Sequence, residues 1–215
     1  MTDYFALLDE SRRPWIDPLS LKTKFLALTA EVHPDRVHTA SEAEKQSTNQ
    51  RFAELNAAYN CLREPKERLR HLLELERGSK PEGVQKISPT TMDCSVEVSR
   101  LCHEADALLA GRARASSPML KVQWFNEAMA LSEKFNAQLQ KLNAKRDLLV
   151  EQLKKLNMAW ESAPPVGSPA RVNVLPCSPL EHIYRDFSYL ARWAEQVQER
   201  IAQDRKSTRL NSSHT

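Results

Sequence analysis

Two amphipathic runs separated by one proline-bearing turn constrain this chain more than any other feature. Before the turn, Leu21, Phe25, Leu28 and Val32 recur at steps of four, three and four; after it, Phe52, Leu55, Tyr59 and Leu62 recur at three, four and three. Each set falls on one face of a helix. Between the runs stand His33, Pro34 and Asp35. Proline has no N–H for the helical ladder and biases the residue before it away from helical angles, so the first helix is predicted to end near His33. The two helices then fold back as an antiparallel hairpin with the tripeptide exposed at its tip.

The rest of the chain is also read as helices. A short one spans Asp3 to Leu8, with Tyr4, Leu7 and Leu8 inward, and another carries Pro65, Arg68, Leu72, Leu73 and Leu75. Gly78 to Gly83 is a breaker-rich stretch, which divides the chain into a unit at 1–77, a linker at 78–90 and a second unit at 91–203. The second unit opens with a helix from about Met92 to Ala110, with Val98, Leu101, Ala105 and Leu108 inward and a stop near Gly111. Ser116, Ser117 and Pro118 start a long helix to about Trp160, whose stripe takes in Phe125, Ala128, Phe135, Leu139, Leu142, Leu149, Leu153 and Leu156. Prolines between 164 and 179 mark an exposed loop, and a last helix buries Ile183, Phe187, Leu190, Ala194, Val197 and Ile201. Strand patterns are absent, and only 4 glycines argue against a glycine-rich all-β fold. The predicted class is all-α: a helical hairpin with short flanking helices, then a three-helix bundle.

The tripeptide is common on its own; its position carries the signal. The order of the first four helices, the loop that holds the tripeptide, Arg36 after it, and Leu55, Asn56, Ala57, Ala58 and Tyr59 in the third helix resemble the J-domain. That is the module through which DnaJ-type co-chaperones stimulate DnaK-type chaperone ATPases. The resemblance covers residues 3 to about 77, and within it the opening DYFALL and the closing EPKERLRHLLEL are most similar to the HscB family. HscB proteins serve iron-sulfur cluster assembly and carry a three-helix carboxy-terminal domain. The resemblance implies a non-enzymatic co-chaperone. By that analogy His33, Pro34, Asp35 and Arg36, with Lys22 and Lys24, dock on a DnaK/HscA-type chaperone ATPase, and the basic residues steer the encounter. Met92, Val96 and Leu101 would present apolar surface to an IscU-like iron-sulfur cluster scaffold protein. Leu26 and Ala27 occupy positions where many J-domains carry a basic pair; HscB proteins also tend to lack it, which favours a dedicated partner. A J-domain adaptor recruiting a different client is the alternative.

Other function classes find little support in the residues. An enzyme using His33 and Asp35 as acid and base lacks a neighbouring nucleophile, metal set or phosphate-binding glycine loop. Cys61, Cys94, Cys102 and Cys177 form no CxxC pair, so neither a protein-bound metal nor a cofactor is expected, and Cys94 and Cys102 are read as packed thiols. A net charge of +3, with basic residues interspersed among acids, is too small for a nucleic-acid footprint. No apolar stretch is long enough to span a bilayer, and a helix begins within three residues of the start, so a cytoplasmic protein without a leader is expected. Residues 204–215, DRKSTRLNSSHT, lack apolar periodicity, and one permitted back-translation is a common sequencing-library adapter. They are expected to be disordered and foreign to the natural chain, with the true ending lying beyond Gln203.

Overall fold

The computed structural model describes residues 1–33, 41–81, 88–112 and 117–212; within its helices the side chains of 90, 112 and 203–212 lie outside the description. The architecture is all-α, with eight helices and no strand among the described residues. They are α1 (Tyr4–Leu7), α2 (Pro18–Glu31), α3 (Glu42–Arg63), α4 (Pro65–Arg77), α5 (Pro89–Arg112), α6 (Pro118–Glu161), α7 (Arg171–Val174) and α8 (Cys177–Ser212). Their starts follow from local chemistry. Asp17 accepts the Ser20 N–H at 2.8 Å, and Pro18, whose missing N–H would have had no partner, follows at the first helical position. Ser41 and Glu44 cap α3 reciprocally: the Ser41 hydroxyl accepts the Glu44 N–H at 3.3 Å and the Glu44 carboxylate accepts the Ser41 N–H at 2.9 Å. The Ser41 hydroxyl also donates to that carboxylate at 2.8 Å, and this bond, with the one from the Ser41 N–H, holds the Glu44 carboxyl below its ordinary pKa. Gly78 ends α4 at φ 72°, a left-handed conformation that residues with a Cβ rarely adopt.

The chain forms two units, and both are discontinuous: Met1–Gly83 with Val150–Tyr184, and Val84–Leu149 with Arg185–Thr215. This differs from the division expected at residues 78–90. The cause is polar as well as apolar. The Asn157 side chain accepts the Trp15 N–H and donates to the Trp15 carbonyl, both at 2.9 Å. Arg171 forks onto Glu76 at 2.9 and 3.0 Å, and Arg77 reaches Glu181 at 2.8 Å. Residues far along the chain thereby complete the first unit.

Within that unit α2 and α3 run antiparallel. Phe25 stacks on Tyr59 with centroids 4.2 Å apart, and His33 meets the Phe52 ring edge-on at 5.7 Å, so numbering climbs on one helix as it falls on the other. Leu21, Leu55, Leu62, Leu69 and Leu72 fill the core between them and α4. On α1, Phe5 and Leu8 are the buried residues, whereas Tyr4 and Leu7 are half-buried. A four-residue helix that turns away at Asp9, φ 53°, is too short for helical periodicity to fix its inward face. Arg68 is buried and donates to the Pro14 carbonyl at 2.9 Å and the Leu62 carbonyl at 2.6 Å; burial pushes it down to about 10, which leaves it charged at neutral pH.

The second unit packs α5, the first part of α6 and the later part of α8. On α6, Trp124, Ala128, Leu131, Phe135, Gln138 and Leu142 step by four and three, the spacing that keeps one stripe facing a partner helix. Phe125, expected in that stripe, is exposed; Trp124 takes the inward place because its indole N–H donates to the Leu108 carbonyl at 2.9 Å. α5 ends at Arg112, beside the stop expected near Gly111, and α7 forms inside the proline-rich segment expected to be loop. Pro179 lies in the first turn of α8, where a missing N–H costs no helical bond. α8 also continues to Ser212, through a stretch expected to be disordered. Extending an existing helix avoids the unfavourable nucleation step, so a polar sequence suffices.

Candidate functional site

The α2–α3 hairpin presents His33 at its end, exposed and directly after the Val32 cap of α2. Behind it the Phe25–Tyr59 stack holds the helices together, and the Arg63 guanidinium lies 5.7 Å from the Tyr59 centroid. Thr29 is buried and donates to the Phe25 carbonyl at 2.7 Å, so a polar side chain is accommodated on the inner face of α2. Pro34, Asp35 and Arg36 lie outside the described residues. Lys22 is exposed on α2. Lys24 is engaged differently from its expected role: its ammonium donates to the Asp9 carbonyl at 2.6 Å and pairs with the buried Glu10 carboxylate at 3.1 Å. Lys24 thus fastens α2 to the segment after α1.

On α5 the three residues expected to face a scaffold separate. Met92 and Val96, one turn apart, are 56% and 68% exposed, whereas Leu101 is fully buried with Val98 and Ala105. Five positions at 100° each put Leu101 about 140° round the helix from Val96, so one face cannot hold all three. Cys94 is buried beside them. The second unit also has a groove of about 610 Å³ between α5 and α6, floored by Leu108, Leu120, Trp124 and Leu131 and rimmed by Glu104 and Glu127. No sequence period announces it, because its lining comes from two helices.

Among the described residues, no group of three His, Cys, Asp or Glu side chains could hold a metal ion. Burial pushes the Cys61 thiol up to about 11 and raises Cys177, so both are protonated at neutral pH. No described helix is long and apolar enough to cross a membrane.

Comparison with known proteins agrees with this geometry. The chain is 43% identical over 72 residues to a Bordetella pertussis protein named co-chaperone protein HscB homolog, and 38% identical over 73 residues to a Chromobacterium violaceum protein of the same name. Each match covers 34% of this chain and 42% of the relative, so the chain spans about two fifths of the length of the curated relatives it matches. In fold, the crystal structure of human HscB matches with a TM-score of 0.56 at 18% identity, over 92% of this chain and 81% of that one. Vibrio cholerae HscB matches with a TM-score of 0.50 at 22% identity, over 92% and 96%. No family model matches the chain. The fold is that of HscB structures, and the matched stretch resembles curated HscB homologues in sequence.

Proposed function

We propose that this chain is a co-chaperone of the HscB kind, which stimulates the ATPase of a DnaK/HscA-type chaperone and delivers an IscU-like iron-sulfur cluster scaffold protein to it. The observation that carries the reading is the placement of His33 at the exposed end of an antiparallel hairpin, in a chain whose named relatives are HscB co-chaperones. The chemistry expected there is recognition rather than bond-making. The Asp35 carboxylate accepts charge-assisted hydrogen bonds from an arginine of the chaperone, Pro34 restricts the turn that aims it, and His33 orients or donates. Lys22 and Arg36 add attraction to an acidic patch. Lys24 contributes from inside, by setting the position of α2.

Met92 and Val96 are the cargo-facing pair in this reading, since Leu101 belongs to the core. That smaller patch, bordered by Asp93 and Ser95, also suits a J-domain adaptor recruiting a different client. A stimulation assay separates the alternatives. Asp35→Asn is expected to abolish ATPase stimulation while shifting stability by no more than about 0.5 kcal/mol, as surface changes do. Scaffold protein added with the intact chain is expected to raise stimulation further, through tethering. Full stimulation by the Asp35→Asn protein overturns the J-domain mechanism; no effect of scaffold, with stimulation intact, leaves the general adaptor.

A further inference from the structure

The groove between α5 and α6 lies wholly within the second unit, away from the hairpin of the first. Its floor is apolar and fixed. Leu108, Leu120, Trp124 and Leu131 form it, and the Trp124 indole N–H is tied to the Leu108 carbonyl. From Leu120 to Leu131 the floor runs about 16 Å along α6 at 1.5 Å per residue, the length of a helix of three turns. It stands open to solvent: Leu120 is 46% exposed, and a Cβ placed on Gly111, in the wall formed by α5, would meet no atom within 4 Å. A partner seated on a preformed apolar floor gains the burial with little reorganisation to offset it.

The rim sets the charge of the occupant. Glu104 accepts from Arg100 and, at 3.0 Å, from Lys134, so its carboxylate already has counter-ions. Glu127 has none: the Gln123 side-chain amide, donating at 3.1 Å, is its one partner among the described residues. An unmatched acid beside an apolar floor favours an occupant with a cation at its edge. A row of apolar sites along a helix-lined groove is read by side chains at steps of three and four on an amphipathic helix.

We propose that this groove is a docking site for an amphipathic helical segment of a partner protein, about three turns long, which seats its apolar stripe on the floor from Leu120 to Leu131 and sets a lysine or arginine against Glu127. Apolar burial holds the segment, and Glu127 fixes its register, because a cation at one position only can meet it. The inference goes beyond the co-chaperone reading and does not rest on it.

The test titrates the full chain into a fluorescein-labelled helical peptide of about twelve residues, with leucines at steps of four and three and one lysine, and into a second peptide with glutamate in place of that lysine; anisotropy reads Kd. The lysine peptide is expected to bind with Kd on the order of 10 μM and the glutamate peptide about fivefold more weakly. Gly111→Leu fills the open wall and is expected to weaken the lysine peptide about tenfold, while the unfolding midpoint stays level or rises, since leucine favours helix over glycine. Glu127→Lys, an exposed change, is expected to invert the preference, so that the glutamate peptide binds about fivefold tighter than the lysine one. Leu148→Ala, at a leucine 65% exposed elsewhere on α6, is expected to change neither. No saturable binding of the lysine peptide, or binding that Gly111→Leu leaves within about twofold of wild type, overturns the proposal. Equal affinity of the wild-type chain for the two peptides overturns it as well, since the partner's cation is then not read. So does self-association of the wild-type chain that Gly111→Leu abolishes, because a second copy then fills the groove. None of these results turns on ATPase stimulation, which Asp35→Asn tests separately.

Discussion

Replacing Asn157 by alanine tests how the first unit is completed. Its side-chain amide pairs with the backbone of Trp15 through two hydrogen bonds of 2.9 Å, one in each direction. Asn157 is buried, while Trp15 is half-buried, with the Lys154 ammonium 5.2 Å from its ring centroid. A hydrogen bond contributes about 1 kcal/mol net, and a buried polar group left without a partner costs about 1–3 kcal/mol. Trp15 keeps partial access to water, so the low end applies to each of its two groups, and the expected loss is about 2–3 kcal/mol. Asn157→Asp divides the pair: a carboxylate accepts the Trp15 N–H but cannot donate to the carbonyl facing it. The folded state then favours the protonated acid, whose pKa rises above the unfolded value of about 3.9. The deficit of the aspartate variant is therefore small at acid pH and grows as pH rises through the folded-state value. Urea unfolding followed by tryptophan fluorescence measures both variants, and hydrogen exchange at the Trp15 amide reports the local bond. If the alanine variant unfolds within 0.5 kcal/mol of wild type, about the size of an ordinary surface change, and Trp15 keeps its protection, the argument is refuted.

Two further outcomes are expected. Arg171→Ala leaves the buried Glu76 carboxylate with only Arg12, 3.9 Å away, among the described cations, and should cost about 3 kcal/mol in urea unfolding; a cost under 1 kcal/mol would show that Arg12 or water replaces the fork. The His71 imidazole accepts the Tyr4 N–H at 3.1 Å, and its pKa is lowered, chiefly by burial and against the pull of Asp3 and Glu74. The fold thus prefers the neutral ring: its contribution is present above the unfolded value of about 6.5 and is lost as pH falls through the lower folded-state value. His71→Gln should flatten that part of the stability profile, and an unchanged slope would point to another group.

Helical periodicity made most of the fold legible. The hairpin register, α4 with its Gly78 stop and the near ends of α6 all follow from apolar spacing and capping residues, which act over a few residues of chain. What escaped the sequence acts over longer distances. Phe125 and Trp124 are equally apolar neighbours, and the one that turns inward is the one whose indole reaches the Leu108 carbonyl, sixteen residues away. Lys24 and Lys22 look alike on paper, yet Glu10 captures one of them. Leu101 illustrates the opposite failure: it was already expected inside the bundle by its spacing, and the same spacing argues against its sharing a face with Val96. The pairing of Trp15 with Asn157 had no local signal at all. Of the candidate site, the location of His33 could be read from the chain, whereas the state of each neighbouring lysine required the tertiary structure.

The interrupted first unit has a consequence for synthesis. Met1–Gly83 leaves the ribosome well before Val150–Tyr184, with the whole of Val84–Leu149 made in between. At roughly 5–20 residues per second, the nascent chain spends several seconds with the Trp15 backbone and the Glu76 carboxylate still lacking Asn157 and Arg171. The hairpin that carries His33 can form in that interval from its own leucines, since none of its contacts with α3 waits for later chain. Closure of the unit around it comes afterwards, once Val150–Tyr184 has been made.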